Sequence, residues 1–327
     1  MKIKSYISLL CLAAVFFSSC GNKKGITVKV DNFSNGKAAE AIVIMDNKYW
    51  TDSQRAKIDS ALTQPQLGLN QVEPMFDLLH FQNSDFTAHF QRHRNIVRFD
   101  INPDYSGNTL DFGSNVFASP QVYIHFRGNN TDSLVSLFVQ NENKIIDLLY
   151  DNDLKRLQTA HTKNTAVEIE KMIREKFGIT LTMPGHYTIL RQEEDALWIG
   201  NRTSRNDRFI FIYKTTEHYL SPENVMNVRD EMAQKYILGA VAGAYPVIAR
   251  RDGYPLVADY TLAGRNGIQM RGLWESVNDH MGGSFYNFTF TDANTGANIS
   301  VDGFVYAPEE PKRDYLREVE AIVKSMR

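Results

Sequence analysis

The sequence predicts an α+β protein, with mixed α/β structure in the first half and a mainly antiparallel sheet with packed helices in the second half. Two observations predict this class. Between residues 37 and 160, compact apolar runs alternate with segments of helical periodicity. After residue 161, short alternating runs are joined by short polar turns, which favour antiparallel pairing.

In the first half, the apolar run 41–45 predicts a buried strand, and Thr51-Asp52-Ser53 supplies the start of a helix that ends before Pro65. The other predicted elements of this half are strands at 76–81, 95–101 and 121–126, a short helix at 84–91, a long loop from Pro103 to Gly113, and one helix from Asn130 past Asp151.

In the second half, a helix from about Thr165 is closed by Gly178, and Ser221-Pro222-Glu223 begins a helix predicted to end at Gly239. Asn266-Gly267 is a strong turn signal, so it predicts a hairpin between two alternating runs. The predicted strands are 186–192, 197–201, 209–213, 256–262, 268–274, 285–290 and 299–306, followed by a last amphipathic helix after Pro311.

The composition is that of an average globular protein, with 43% hydrophobic and 23% charged residues among 327. It excludes a disordered, collagen-like or polytopic membrane chain. Lys and Arg number 36 against 38 acidic residues, and no block of like charge occurs. The sequence therefore gives no support for a nucleic-acid partner.

The first twenty residues have the pattern of an export signal. Lys2 and Lys4 precede an apolar run from Ile7 to Phe17, which is too short to span a bilayer as a helix. The stretch from Phe17 to Gly21 resembles the lipobox of bacterial lipoproteins, in which the cysteine, here Cys20, becomes the acylated first residue of the mature chain. Phe17 departs from the usual Leu of that motif. The alternative is an ordinary cleaved signal with an incidental cysteine.

A multiply acylated cysteine would hold the protein firmly on a membrane that it does not span. The segment after Cys20 carries lysines where surface-exported lipoproteins of Bacteroidetes carry acidic residues. By this resemblance we expect the protein to be lipid-anchored in the cell envelope, on the outer membrane and facing the periplasm. The predicted segments are a signal peptide 1–19, a lipidated cysteine with a flexible tether 20–36, an N-terminal α/β subdomain 37–160 and a C-terminal α+β subdomain 161–327.

Cofactors other than the covalent lipid on Cys20 are not predicted. The chain has two cysteines, Cys11 and Cys20, so cleavage would leave no thiol in the folded part for a disulfide, a zinc site or a nucleophile. The usual motifs of phosphate-binding loops, dinucleotide folds, nucleophile elbows and zinc proteases are absent from the sequence. Absence of a motif does not exclude catalysis, because active sites are defined by geometry.

One candidate site is a metal centre on the predicted short helix. Asp85, His89 and His93 are spaced i, i+4, i+8, so they would project from one side, and two imidazoles with a carboxylate suit Zn or Fe(II). The simpler interpretation is a set of partly exposed helix residues, because Phe86 and Phe90 define the core face of the same helix.

A second candidate is a ligand-binding group around the predicted hairpin. Arginines cluster there, and Arg side chains bind carboxylates, phosphates or acidic glycans through paired hydrogen bonds. Trp274 adds an aromatic surface of the kind found at sugar and protein interfaces. The alternative is a solvated strand face with acidic partners across the sheet. The arginines are Arg250, Arg251, Arg265 and Arg271.

The run from Gly282 to Pro308 and the segment Lys312-Arg313-Asp314-Tyr315-Leu316-Arg317 resemble an uncharacterised lipoprotein family of Bacteroidetes, known as domain of unknown function 4837. The resemblance extends over most of the mature chain and implies a lipobox and a periplasmic location. It brings no catalytic residues, because none are established for the family.

Two functional hypotheses follow. The first, which we prefer, is a lipid-anchored, non-catalytic binding or scaffold module that acts on an envelope protein partner through a sheet face or groove. The second is a membrane-anchored hydrolase or metal-dependent enzyme that uses Asp85, His89 and His93, or a pair of carboxylates that the sequence does not identify. Both require the membrane anchor at Cys20.

Overall fold

A computed structural model describes residues 32–216, 219–239, 241–251 and 253–327. The predicted signal peptide, Cys20 and the tether up to residue 31 lie outside the described residues. Within those ranges the chain forms seven α-helices and thirteen strands in two sheets. The predicted α+β class is therefore confirmed.

The first sheet has five strands in the order β2-β1-β3-β5-β4. Four of them are parallel, and β4 runs antiparallel to β5 along one edge. The strands are β1 (Glu40–Ile44), β2 (Asp77–Phe81), β3 (Asn95–Ile101), β4 (Thr109–Ser114) and β5 (Val122–Gly128). The predicted long loop from Pro103 to Gly113 therefore contains the start of β4, a strand that the sequence analysis did not predict.

Three long helices cover one face of the first sheet and bury its apolar side chains in one core. The helices of this half are α1 (Asp52–Leu62), α2 (Ala88–Gln91), α3 (Thr131–Gln140) and α4 (Glu142–His161). The single helix predicted from Asn130 is thus two helices. Asn141 separates them because its side chain donates to the carbonyl of Leu137 at 2.8 Å, in place of a continued helical turn.

The second sheet has eight strands, seven of them in the order β10-β11-β12-β13-β8-β7-β6, with the short β9 paired to the far end of β11. All pairs are antiparallel. The strands are β6 (Thr188–Gln192), β7 (Ala196–Arg202), β8 (Asp207–Thr215), β9 (Tyr245–Ile248), β10 (Leu256–Leu262), β11 (Arg265–Val277), β12 (Gly282–Thr291) and β13 (Asn298–Tyr306).

Helices cover both faces of the second sheet. On one face, α5 (Val167–Phe177) and α7 (Arg313–Val323) share a core with the alternate residues Tyr286, Phe288 and Phe290 of β12. On the other face, α6 (Pro222–Tyr236) packs against a second aromatic core. The helix α7 also packs against α4, so it lies between the two halves of the chain.

The turn of the β10–β11 hairpin differs from the sequence prediction. Ala263 and Gly264 form it, with φ of 51° and 76°, whereas Asn266 and Gly267 lie inside β11. Gly267 is needed there for a different reason: a Cβ at this position would approach the carbonyl oxygen of Thr289 to 2.3 Å. The glycine therefore marks a close approach between strands and not the turn.

Two further features bear on the predicted membrane attachment. Every helix in the described ranges is too short or too polar to cross a bilayer. Residues 33–36, assigned to the tether from the sequence, are held on the folded body: Ser34 N–H donates to the carbonyl of Ser119 at 3.2 Å and Asn35 N–H to that of Arg92 at 2.8 Å. Among the described residues, the folded body therefore begins at about residue 33.

Candidate functional site

The residues of the predicted metal centre do not come together. The predicted helix 84–91 is in fact a 3₁₀ turn, Asn83–Asp85, followed by the four-residue α2. Asp85 accepts a hydrogen bond from the Gln82 backbone, and His89 is exposed on α2. In the part of the chain that the structure describes, no group of three His, Cys, Asp or Glu side chains could hold a metal ion.

His93 is buried away from this surface. Its Nε2 lies 2.8 Å from Glu40 Oε1, and its Nδ1 lies 3.1 Å from the carbonyl oxygen of Asn95. Burial lowers the pKa of His93, although the Glu40 hydrogen bond opposes this. His80, on the neighbouring β2, stacks on Trp50 with ring centroids 4.3 Å apart. The enzyme hypothesis therefore loses the metal-binding set Asp85, His89 and His93, within the part of the chain that the structure describes.

The predicted arginine group is divided among several places. Arg250 pairs with Asp230 of α6 at 2.8 Å, and Arg265 lies over the ring of Phe290. Arg251 pairs with Glu275 and, together with Trp274, lines a hollow of about 430 Å³. The indole of Trp274 is buried and its N–H donates to the carbonyl of Val305 at 3.0 Å, so this side chain is part of the hydrophobic core.

Arg271 alone of the four arginines reaches the cleft between the two halves of the chain, whose volume is about 540 Å³. The loop after α1 forms one wall, α4 the second, strands β10 and β11 the third, and α7 the base. The lining residues are Gln64, Pro65, Gln66, Leu67, Met75, Asp147, Tyr150, Asp151, Leu256, Val257, Ala258, Tyr260, Gln269, Arg271, Glu320 and Lys324.

The base of the cleft is a buried ion network centred on Glu320. Its Oε2 accepts hydrogen bonds from Arg271 Nη2 and from the hydroxyl of Tyr150, both at 2.5 Å. Its Oε1 lies 2.9 Å from Nζ of Lys324, the residue that directly follows the last turn of α7. The two cations and one carboxylate leave one unit of positive charge at the base.

The ionisation of this network is fixed by its geometry. Burial alone would raise the pKa of Glu320, but Arg271 and Lys324 outweigh it and lower that pKa to about 2. The same attraction raises the pKa of Lys324 and of Arg271 against the opposing effect of burial. The three groups therefore stay charged at neutral pH.

Tyrosine rings surround the two cations. The Nζ of Lys324 lies 5.4 Å from the ring centre of Tyr260, 5.5 Å from that of Tyr286 and 5.9 Å from that of Tyr150. Arg271 lies over the rings of Tyr286 and Tyr150 at 5.2 and 5.8 Å. Such cation–π contacts help to hold the two cations in place.

The loop wall is fixed to the second half by close backbone packing. Gly68, at φ +83°, lies against the stem of Arg271, where a Cβ would come within 2.6 Å of Cγ. Its N–H donates to the hydroxyl of Tyr254 at 3.0 Å. Any side chain at position 68 would push the loop away from β11 and change the width of the cleft.

The rim of the cleft has the opposite charge to its base. Asp147 and Asp151, one helical turn apart on α4, are exposed at the opening. Sequence reasoning selected Arg271 but missed these residues, together with Tyr150, Glu320 and Lys324. Their spacing carries no local signal, because the cleft is assembled from segments that lie far apart in the chain.

Comparisons with known proteins were made for the whole chain. The profile of the family described as "Domain of unknown function (DUF4837)" matches residues 166–325, which confirms the predicted resemblance for the second half. A different profile, "Domain of unknown function (DUF8532)", matches residues 34–162. Neither description names a biochemical activity. No curated protein matches the sequence.

The solved structures that match include a 1.50 Å crystal structure from Bacteroides thetaiotaomicron VPI-5482. It aligns with a TM-score of 0.26 and 7% sequence identity, over 46% of this chain and 44% of that chain. The match thus spans less than half of that protein. A likeness at this level supports no inference about fold or function.

Proposed function

The second half of the chain, residues 166–325, is a DUF4837 domain, and from that premise we propose that the protein is a non-catalytic binding module of the cell envelope that holds its ligand in the cleft between its two halves. The single observation that carries this proposal is the convergence of Arg271, Lys324 and three tyrosine rings at the base of that cleft.

The volume and position of the cleft support binding. At about 540 Å³ it falls within the ~300–1,000 Å³ typical of ligand pockets, which occur preferentially where two structural units meet. The wall residues combine apolar surface, from Leu67, Met75 and Leu256, with a few polar groups, a mixture that gives both affinity and orientation.

The chemistry at the base favours holding a ligand over transferring protons. A general acid or base works best when its pKa lies near the operating pH. The pKa of Glu320 is lowered to about 2, and burial raises that of Tyr150. Both groups therefore keep their protonation state across the physiological range and act as fixed hydrogen-bonding and charged groups.

The location belongs to the proposal. The export signal and Cys20 support attachment by a lipid, and the described part of the chain would then stand on the outer membrane and face the periplasm. Membrane fractions of cells that express the unmodified chain or Cys20→Ala test this. We expect the unmodified chain in the membrane fraction and the variant in the soluble periplasmic fraction. Membrane retention of the variant would contradict the lipid anchor.

The binding role is tested by filling the cleft without disturbing its base. Ala258 is exposed on β10 and lines the cleft, so Ala258→Trp places a large ring in the opening. Ala160→Trp, at the exposed end of α4 and outside the cleft, is the matched control. Both variants and the unmodified full chain are crosslinked in cells and purified, and the bound molecules are identified by mass spectrometry.

A ligand or partner that accompanies the unmodified chain and Ala160→Trp, but is lost with Ala258→Trp, is the expected result. A partner retained by Ala258→Trp would place binding elsewhere on the protein. Purification of all three proteins without any bound molecule would also count against the proposal.

A further inference from the structure

The strand β10 is a free edge of the second sheet. It pairs with β11 through seven consecutive residue pairs, and no other strand of the described residues pairs with it. It carries no bulge, no internal proline and no lysine, so Asp259 is the one charged residue on this strand that protects the edge. The opposite edge, β6, has five residues and a register shift between Ile189 and Arg191, so it is protected.

The hairpin turn determines which backbone N–H and C=O groups of β10 are free to pair with an added strand. A two-residue turn at Ala263 and Gly264 makes Leu262 and Arg265 a hydrogen-bonded pair. The alternation of an antiparallel ladder then turns the N–H and C=O groups of Val257, Asp259 and Thr261 away from β11. These three residues present backbone donors and acceptors along an edge about 20 Å long.

A hollow lies on each side of this edge. The cleft lies on the face of Leu256, Ala258 and Tyr260. A second hollow of about 600 Å³, here called the groove, lies on the face of Asp259 and Thr261. Its other walls are the start of α6 and the beginning of β11. Successive side chains of any strand added to β10 would enter the cleft and the groove in turn.

We propose that β10 is the docking site for an extended peptide segment of a partner protein, which adds to the sheet as an extra strand and places a basic side chain beside Asp259. This inference names the class of ligand that the cleft takes, so it rests on the proposed function. Main-chain hydrogen bonds to the edge supply affinity, and the two hollows supply specificity for alternate side chains.

Charge argues for a basic partner and against a second copy of this chain. Asp259 is the central residue of β10, so two copies paired over the full strand would place the two Asp259 carboxylates opposite each other. Like charges at such a position destabilise a sheet. On the cleft side, the two exposed acids Asp147 and Asp151 outnumber the single net positive charge at the base, so that side does not oppose a basic peptide. A peptide with Lys or Arg would instead place a positive charge beside the Asp259 carboxylate.

The test uses the purified full chain as target for a displayed library of random eight-residue peptides. Synthetic peptides of the enriched sequences are then titrated by fluorescence anisotropy against the unmodified chain and four variants. Asp259→Pro removes an outward N–H, a change that an edge strand tolerates. Asp259→Asn removes only the charge, and Asp259→Lys reverses it. Asp104→Asn makes the same charge change in an exposed loop of the first half.

We expect enriched peptides with alternating apolar residues and at least one Lys or Arg. Their affinity should fall about tenfold or more in Asp259→Pro and up to about fivefold in Asp259→Asn, with no change in Asp104→Asn. In Asp259→Lys the preference should shift to acidic peptides, which tests the proposal even if the proline variant does not fold.

Two results would overturn the proposal: no enrichment above a library control, or enriched peptides that bind Asp259→Pro and Asp259→Lys as tightly as the unmodified chain. A cellular ligand that Ala258→Trp loses and Asp259→Pro keeps would leave the binding function standing. That ligand would occupy the cleft without joining the sheet.

Discussion

The carboxylate of Glu73, in the loop after α1, caps the first turn of a helix in the other half of the chain. Its Oε2 accepts a hydrogen bond from the backbone N–H of Arg313 at 3.0 Å, and its Oε1 accepts one from the N–H of Lys312 at 2.7 Å. The side chain of Arg313 in turn forms a paired contact with Asp77 at the start of β2. The two halves are thus connected at the point where α7 begins.

Removal of this cap should destabilise the whole protein. Glu73→Ala leaves two buried N–H groups of α7 without an acceptor, and we expect a loss of about 2–3 kcal/mol in the free energy of unfolding. Urea denaturation followed by circular dichroism measures it. Glu223→Ala, in the exposed first turn of α6, is the control and should leave the midpoint unchanged. Equal midpoints for the two variants would contradict the capping role.

A second prediction concerns Arg317, which is 2% exposed. Its Nη1 bonds Asp153 of α4 at 2.9 Å, and its Nη2 donates to the carbonyl of Met75 at 2.5 Å. Arg317→Met removes the closer of the two arginines that pair with buried Asp153 and leaves only Arg94, at 3.4 Å, so it should cost about 2–3 kcal/mol. Urea unfolding of this variant is compared with Arg55→Met, which breaks an exposed pair within α1 and should have little effect.

The double variant Arg317→Met with Asp153→Asn should be less destabilised than the sum of the two single variants, because each substitution removes a buried charge whose closest partner the other has removed. Additive losses would mean that the pair makes no direct contribution to stability.

The network around Glu320 predicts an acid-sensitive stability. Its pKa in the folded state, about 2, lies below the ordinary value of 4.5, so the unfolded chain binds the proton more readily. The stabilisation from ionised Glu320 is therefore fully present above about pH 4.5 and is lost as the pH falls towards 2. Glu320→Gln should be much less stable than the unmodified chain at pH 6, and the difference should shrink at pH 3. A constant difference would contradict the lowered pKa.

His125, on β5, predicts a second pH dependence at higher pH. Burial, aided by the nearby Arg98, lowers the pKa of His125 from 6.5 to about 4. The unfolded chain is protonated first as the pH falls, so stability is complete above about pH 6.5 and declines towards pH 4.

NMR titration of the histidine Cε1–H signals should place the midpoint of His125 near pH 4. The variant His125→Gln should lose less stability between pH 6.5 and 4 than the unmodified chain, whereas the exposed His280→Gln should keep the original pH dependence. A midpoint near 6.5 for His125 would show that the ring is accessible to solvent.

Local signals predicted much of the fold. The alternation of Leu256–Leu262 predicted β10 with its observed bounds, and Gly178 closes α5 in the left-handed conformation at φ 66°. The strand β4 was not predicted because it contains Gly113 and Ser114 and is only partly buried, so its sequence lacks an apolar run. The division into α3 and α4 was not predicted because the apolar stripe continues across Asn141.

The candidate site was less accessible to sequence reasoning. The apolar face of α7 was predicted, but the burial of Arg317 and Glu320 on the same helix was not. Their partners Asp153 and Tyr150 lie 164 and 170 residues away in the chain, and no periodicity reports contacts over such a separation. The residues of the predicted metal and arginine groups are dispersed in the structure for the same reason, because proximity in sequence does not imply proximity in space, and of the four arginines only Arg271 lines the cleft.

The position of α7 in the chain has a consequence for biosynthesis. Residues 313–323 follow every strand of both sheets, yet they carry partners for α4, for the loop after α1 and for β12 and β13. Within the early half Asp153 already has Arg94 and Asn95 as partners, but Glu73 lacks the N–H groups of Lys312 and Arg313 until the last segment of the chain is present. The two halves can therefore complete their mutual contacts only after the C-terminal residues have reached the compartment in which the protein folds.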